Sequence, residues 1–246
     1  MMNDKVIIVN NLVKKFGQFV ANNDLTFSVN RGEIFGFLGA NGAGKTTALR
    51  ILCGLSSPTS GEAIVAGYNV AKNPERVKRH IGYMCQRFSL YEDLTIEENI
   101  RLYGGIYGLS KSDIVSGTEN LLDKLYFREY RHRIIGDLPL GMRQKLAFSV
   151  AVFHKPEIVF LDEPTGGVDP ITRRQFWEMI YETAANGITV FVTTHYMDEA
   201  EYCDRISIMS EGRIVAIDTP KGLKTEYNSW SVEEVFIRIA RPDKTN

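Results

Sequence analysis

Ile34-Phe35-Gly36-Phe37-Leu38-Gly39-Ala40-Asn41-Gly42-Ala43-Gly44-Lys45-Thr46 is the stretch on which the fold turns. Ile34 to Leu38 reads as an apolar strand, and Gly39 to Thr46 matches the spacing G-x-x-x-x-G-K-[ST] without a gap. A helix opens near Thr46 and ends around Gly54, which is the strand, loop and helix context a phosphate-cradling loop requires. Gly39, Gly42 and Gly44 let the backbone curl with its N–H groups inward, and the helix N-terminus adds the positive end of its dipole. Lys45 supplies a mobile charge for β and γ phosphates. Thr46 offers a hydroxyl to Mg²⁺, a cation that prefers octahedral oxygen ligands. A loop that merely turns the chain explains neither the lysine nor the helix. A dinucleotide site is disfavoured because the glycines depart from G-x-G-x-x-G and a lysine follows the last one.

A second strand carries the complementary signal. Ile158-Val159-Phe160-Leu161 is apolar and runs straight into Asp162 and Glu163. Carboxylates at the exit of a buried strand must face a partner that compensates their charge, and a metal-bound phosphate is such a partner. A solvated strand end would explain neither the apolar run nor the Pro164-Thr165 stop.

Composition narrows the class. A chain of 246 residues with 44% hydrophobic content buries one substantial core, so a single lobed unit is expected. A formal net charge of -1 with 24% charged residues leaves no basic surplus for a nucleic-acid backbone. Cys53, Cys85 and Cys203 lie far apart without metal or disulfide spacing, which suits a reducing cytoplasm. No window approaches the roughly 18 apolar residues of a membrane span, and Met1-Met2-Asn3-Asp4-Lys5 lacks the apolar core of a signal peptide. If the protein serves a membrane, another chain crosses it.

Working outward, Val6 to Val9 and Leu25 to Val29 read as short strands, and an antiparallel β flap beside the nucleotide is expected. Phe16, before Gly17, either stacks on a base or is a plain core aromatic. Strands follow near Ala63 to Ala66 and Ile81 to Cys85, the latter ending at Gln86. Thr95-Ile96-Glu97-Glu98 is a capping box, Ser110 or Ser112 caps a second helix, and a third runs from near Pro139 to about His154. A helical lobe is therefore inserted between roughly Tyr91 and His154. Beyond the acids come a helix from about Ile171 to Asn186, a strand Ile188 to Thr193, and a hairpin of Ile206 to Met209 and Arg213 to Ile217 around Glu211-Gly212. Thr219-Pro220 opens a short helix and Ser231 caps a terminal one.

The ordered set of phosphate loop, Gln86, Leu138-Pro139-Leu140-Gly141-Met142-Arg143-Gln144, Asp162-Glu163, Gly167-Val168-Asp169 and His195 resembles the ATP-binding subunits of ABC transporters over nearly the whole chain. It looks closest to the ATPases of ABC-2 type exporters, including multidrug efflux systems, through Leu138-Pro139-Leu140-Gly141, Thr193 to Ala200 and the tail Val232 to Phe236. The resemblance implies an α/β P-loop NTPase core with a mainly parallel sheet, an N-terminal antiparallel β subdomain and an inserted helical subdomain. All belong to one domain over 1–246, with 1–90 and 155–246 as core and 91–154 as the helical lobe.

ATP and Mg²⁺ are the implied cofactors. Gly39, Ala40, Asn41, Gly42, Ala43, Gly44, Lys45, Thr46 and Thr47 would cradle the triphosphate, with Phe16 stacking on the base. Thr46 would hold the metal directly and Asp162 through water, Gln86 would reach it and report its occupancy, and Glu163 would polarise the attacking water. His195 would contact the γ-phosphate and orient that water, whereas a lone histidine at a strand end is ordinarily structural. Asp169 either links two halves across a dimer or simply caps the helix before Pro170. Two copies, as a homodimer or heterodimer, would pair head to tail on a membrane permease at the cytoplasmic face, coupled through a cleft near Gln86, Phe88 and Tyr91.

One departure stands out. The family's usual signature is Leu-Ser-Gly-Gly-Gln, and this chain has Pro139, Leu140 and Met142 in place of the serine, the first glycine and the glutamine. The lost hydroxyl leaves Gly141 and the helix N-terminus to offer backbone N–H groups to the opposite subunit's nucleotide, so either a weaker ATP-closed dimer or a partner half with a better signature is expected. Proline is tolerated in a first helical turn, so the helix should survive. The rival readings are an ATP-dependent clamp on nucleic acid or ribosomes, and a nucleotide-binding regulatory module without turnover.

Overall fold

Strands β1 (Lys5–Phe16) and β2 (Phe19–Asn30) form an antiparallel hairpin in the computed structural model, which describes residues 4–86 and 90–240. Each strand has 12 residues, far longer than the apolar runs Val6 to Val9 and Leu25 to Val29. An antiparallel sheet tolerates polar residues on its solvated face, so Lys14 and Lys15 continue the ladder against Asn22 and Val20, beyond a register shift at Asn10 and Asn11 that apolar periodicity does not reveal. β4 (Ser60–Val65) and β5 (Tyr68–Asn69) complete a four-stranded sheet in the order β2-β1-β4-β5, whereas β3 (Ile34–Gly39) belongs to a second sheet.

That second sheet joins β3 to β6 (Ile81–Met84), β7 (Ile158–Asp162), β8 (Thr189–Thr194), β9 (Arg205–Ser210) and β10 (Arg213–Asp218). Its strand order is β10-β9-β3-β8-β7-β6. All neighbours are parallel except β9 and β10, which form the hairpin around Glu211-Gly212. Alternation along the central strands separates two cores. Phe35, Phe37, Phe160 and Phe191 join Phe27 of β2 between the sheets, with ring centroids 5.2 Å apart for Phe37 and Phe191. Leu38, Val159, Leu161, Val190 and Val192 enter a second cluster with residues of the helices.

α1 (Lys45–Leu52) leaves β3 through the glycine loop. α2 (Pro74–His80) escapes sequence reading because only Val77 is buried, which gives no periodicity. Between β6 and β7 lie α3 (Ile96–Ile106), α4 (Lys111–Leu125) and α5 (Leu140–Ala151). Thr95 forms the capping box on α3, and Ser110 caps α4 by accepting from the Asp113 N–H. Pro139 is corrected to the N-cap of α5 rather than its first turn. Its ψ of 146° is extended, and its carbonyl accepts the first helical bond from Arg143 N. α6 (Pro170–Ala185) is capped by Asp169, which accepts from Ile171 and Thr172 N–H. α7 (Pro220–Glu226) and α8 (Val232–Ala240) follow. Among the described residues, no helix is long and apolar enough to cross a membrane.

Candidate functional site

Strand register places the chemistry. Leu38 of β3 pairs with Thr194 of β8, Thr193 of β8 pairs with Asp162 of β7, and Leu161 of β7 pairs with Met84 of β6. The carboxyl ends of these parallel strands therefore lie side by side, where α/β sheets form their ligand crevices. The glycine loop, His195, the two acids and Gln86 all leave from that edge. A cavity of about 360 Å³ opens there, lined by Asn41, Gly42, Gly44, Lys45, Thr46, Thr47, Gln86 and Glu163, with Phe19 and Ala21 of β2 as its outer wall.

Glu163 is the hub. Its Oε1 lies 3.5 Å from Lys45 Nζ, and its Oε2 accepts from Gln86 Nε2 at 2.8 Å and lies 3.1 Å from His195 Nδ1. Its φ of 49° is in the left-handed region, a strained backbone for a residue with a side chain. Thr193 holds it there: both its carbonyl and its hydroxyl accept from the Glu163 N–H at 3.1 Å. The same hydroxyl donates to Asp162 Oδ1 at 2.6 Å.

Burial sets the electrostatics. Lys45 is 4% exposed and burial holds its ammonium below the usual lysine range, against the opposing pull of Glu163 and then Asp162. Its Nζ donates to the carbonyls of Gly39 at 2.8 Å and Ala40 at 3.2 Å. Burial raises Asp162 above the usual carboxylate range, and hydrogen bonds from Thr193 and Thr46 partly offset this.

Among the described residues, no group of three or more His, Cys, Asp or Glu could hold a metal. A magnesium site here draws on a hydroxyl and a carboxylate instead. Thr46 Oγ1 and Asp162 Oδ1 are 3.3 Å apart. A hydroxyl and a carboxylate are the oxygen donors that Mg²⁺ favours, and their proximity would let one hydrated ion be held by both. Gln86 presents its amide nitrogen to Glu163 in this structure, and its oxygen is the atom a metal would require.

Two expected contributors stand apart. Phe16 ends β1 at the hairpin tip, 56% exposed with Lys14 Nζ 5.0 Å from its ring centroid, so it is not a core aromatic. It also lies outside the cavity lining, where the aromatic ring belongs to Phe19. Gly141 sits in the first turn of α5 against Thr172 of α6, also outside that lining. Phe88 falls outside the described residues, and Tyr91, half exposed, donates its N–H to Asn99 Oδ1 at 2.9 Å. No site role for Thr193 or Phe19 follows from sequence; the signal Thr193 carries is a threonine pair ending an apolar strand before a histidine.

The ABC transporter family model matches residues 22–166, a segment that includes the glycine loop, Gln86 and both acids. The chain belongs to the ABC transporter family. It is 44% identical over 241 residues to the probable multidrug ABC transporter ATP-binding protein YbhF of Escherichia coli strain K12, covering 96% of this chain and 42% of that protein. The chain thus spans less than half the length of that relative. The doxorubicin resistance ATP-binding protein DrrA of Mycobacterium tuberculosis is 38% identical over 228 residues, covering 91% of this chain and 69% of its own length. A solved ATP-binding subunit of an ABC transporter superposes with a TM-score of 0.87 at 30% identity, covering 96% of this chain and 99% of its own. The expected P-loop NTPase fold, with one antiparallel and one mainly parallel sheet, agrees with that match.

Proposed function

We propose that this chain binds ATP with Mg²⁺, hydrolyses it, and powers export through a membrane-embedded permease of the ABC-2 type. The observation that carries the reading is the convergence of Lys45, Gln86 and His195 on the two carboxylate oxygens of Glu163, beside Thr46 and Asp162. Phosphoryl transfer asks a protein mainly to position groups and stabilise charge. Lys45 and the free N–H groups at the start of α1 receive the phosphates. Glu163 accepts the proton of the attacking water, and His195 orients that water. Mg²⁺, held by Thr46 and Asp162 with Gln86 in reach, would neutralise charge on the phosphates.

The names of the relatives, multidrug and doxorubicin resistance, support an exporter. Within this reading residues 1–246 act as one domain whose 91–154 lobe meets the permease at the cytoplasmic face. Gly141 completes the site of a head-to-tail partner, identical or not, and Phe16 stacks on the base from the hairpin tip. No nucleic acid takes part. The test is Glu163→Gln. It keeps the side chain's shape and removes the base, so phosphate release falls about 10²- to 10⁴-fold while ATP binding persists. Equal release by the variant, or no ATP uptake by either protein, refutes the proposal.

A further inference from the structure

Asn22 of β2 is completely buried, yet it belongs to none of the motifs around the cavity. Its Nδ2 donates to the carbonyl of Gly44 at 3.0 Å, and its Oδ1 is buried with no hydrogen-bond partner. An unpartnered buried amide oxygen destabilises a fold, and an apolar side chain of similar shape would avoid that cost. The retained donor therefore needs a reason beyond stability.

Gly44 is the N-cap of α1 with φ of 100°, and no side chain caps that end. A peptide unit is planar, so the Gly44 carbonyl and the Lys45 N–H point in opposite directions. Fixing the carbonyl aims the N–H. Ala48 N holds the same carbonyl along the helix axis at 3.0 Å, and Asn22 holds it from the side. The strand lies so close that a Cβ on Gly44 would sit 2.3 Å from the Ala21 carbonyl. A second strap runs from Asn23 N to Gly212 O at 2.7 Å and from Gly212 N to Ala43 O at 3.1 Å.

We propose that Asn22 is a positioning residue for the triphosphate, holding the Gly44–Lys45 peptide unit so that the Lys45 N–H faces the incoming phosphate oxygens. This rests on the ATP-binding reading above. The test is calorimetric titration of the full chain with ATP and Mg²⁺, alongside melting temperatures without nucleotide, for Asn22→Leu and Asn22→Asp. Asn22→Leu removes the donor and the orphan oxygen together, so it melts no lower than the parent yet binds ATP about threefold to tenfold more weakly, the effect of one lost net hydrogen bond. Asn22→Asp sets oxygen against oxygen and lowers both. If Asn22→Leu binds ATP as the parent does, or weakens only as far as it loses stability, the inference falls while the ATP reading stands. A parent that takes up no ATP overturns both.

Discussion

Thr193→Val isolates the least visible member of the site. Valine keeps the β-branched shape that suits the fully buried strand β8 and deletes only the hydroxyl. Asp162 Oδ1 then loses its 2.6 Å donor and keeps only Thr46, at 3.3 Å. The Glu163 N–H keeps the Thr193 carbonyl at 3.1 Å, so the loss falls on Asp162. A hydrogen bond to a charged group contributes about 1.5–3 kcal/mol, a factor of roughly 10–150. Because burial already raises Asp162 and the Thr193 bond lowers it, the variant's carboxyl rises further. A carboxyl raised in the fold favours folding when protonated and penalises it progressively as pH rises above the ordinary value of 3.8. The variant's stability deficit is therefore largest near neutrality, roughly 3–12 °C in Tm, and shrinks toward pH 4. Asp162 also loses the donor that fixes its Oδ1 beside Thr46, so the Mg²⁺ concentration for half-maximal ATPase rises about tenfold or more. Matching Mg²⁺ curves for parent and variant would refute the assignment of Thr193 to Asp162.

Gly141→Ala places a Cβ 2.7 Å from Thr172 Cγ2, so thermal melting shows a loss of about 1–3 kcal/mol. Adding Thr172→Ser removes that methyl while keeping the hydroxyl that bonds Asp169, and recovers most of the loss. Burial depresses His154 from 6.5 to about 4, with its Nε2 3.1 Å from the Ile81 carbonyl and its ring stacked on Tyr107. The unfolded chain binds the proton more readily between those values, so stability falls as pH drops through the window. Denaturant titrations at pH 7 and 4.5 show the parent losing about 1–2 kcal/mol more than His154→Phe, the full linkage being discounted for partial exposure. Pro139→Ser supplies a capping hydroxyl to α5, which raises stability by about 1 kcal/mol. It also raises ATPase rate most at low protein concentration if the missing hydroxyl weakens dimer closure, whereas rates unchanged at every concentration dismiss that expectation.

Legibility followed the kind of constraint each residue satisfies. The glycine loop and the capping box at Thr95 are local devices whose partners lie a few residues away, and spacing alone reveals them. The acid pair is legible from its own strand, an apolar run ending in two carboxylates, although its partners Lys45, Thr46 and Thr193 come from elsewhere in the chain. The parallel strands were readable as apolar runs because both of their faces are covered. The long hairpin was readable only in its apolar runs, Val6 to Val9 and Leu25 to Val29, since its polar half is carried by ladder bonds to neighbouring strands. Asn22 and Thr193 act across 22 and 31 residues of chain on Gly44 and Asp162, so no spacing rule marks them. Phe19 lies on β2 across the turn from Phe16, and only the hairpin register decides which ring meets the cavity.

Those unmarked residues share a physical task. Lys45 and Asp162 are both displaced by burial toward their neutral forms, and Glu163 adopts a backbone conformation that costs about 1–3 kcal/mol outside glycine. Left to themselves, the loop and the strand end would relax by exposing these groups to water. Thr193, bonded to Asp162 and to the Glu163 N–H, and Asn22, bonded to the phosphate loop, oppose that relaxation from the two neighbouring strands β8 and β2. The site's charges are thus held apart from full solvation before any ligand arrives. In the proposed function, a magnesium-bound triphosphate would bring both a cation for Asp162 and anionic oxygens for Lys45, and its binding would remove the penalty the scaffold maintains.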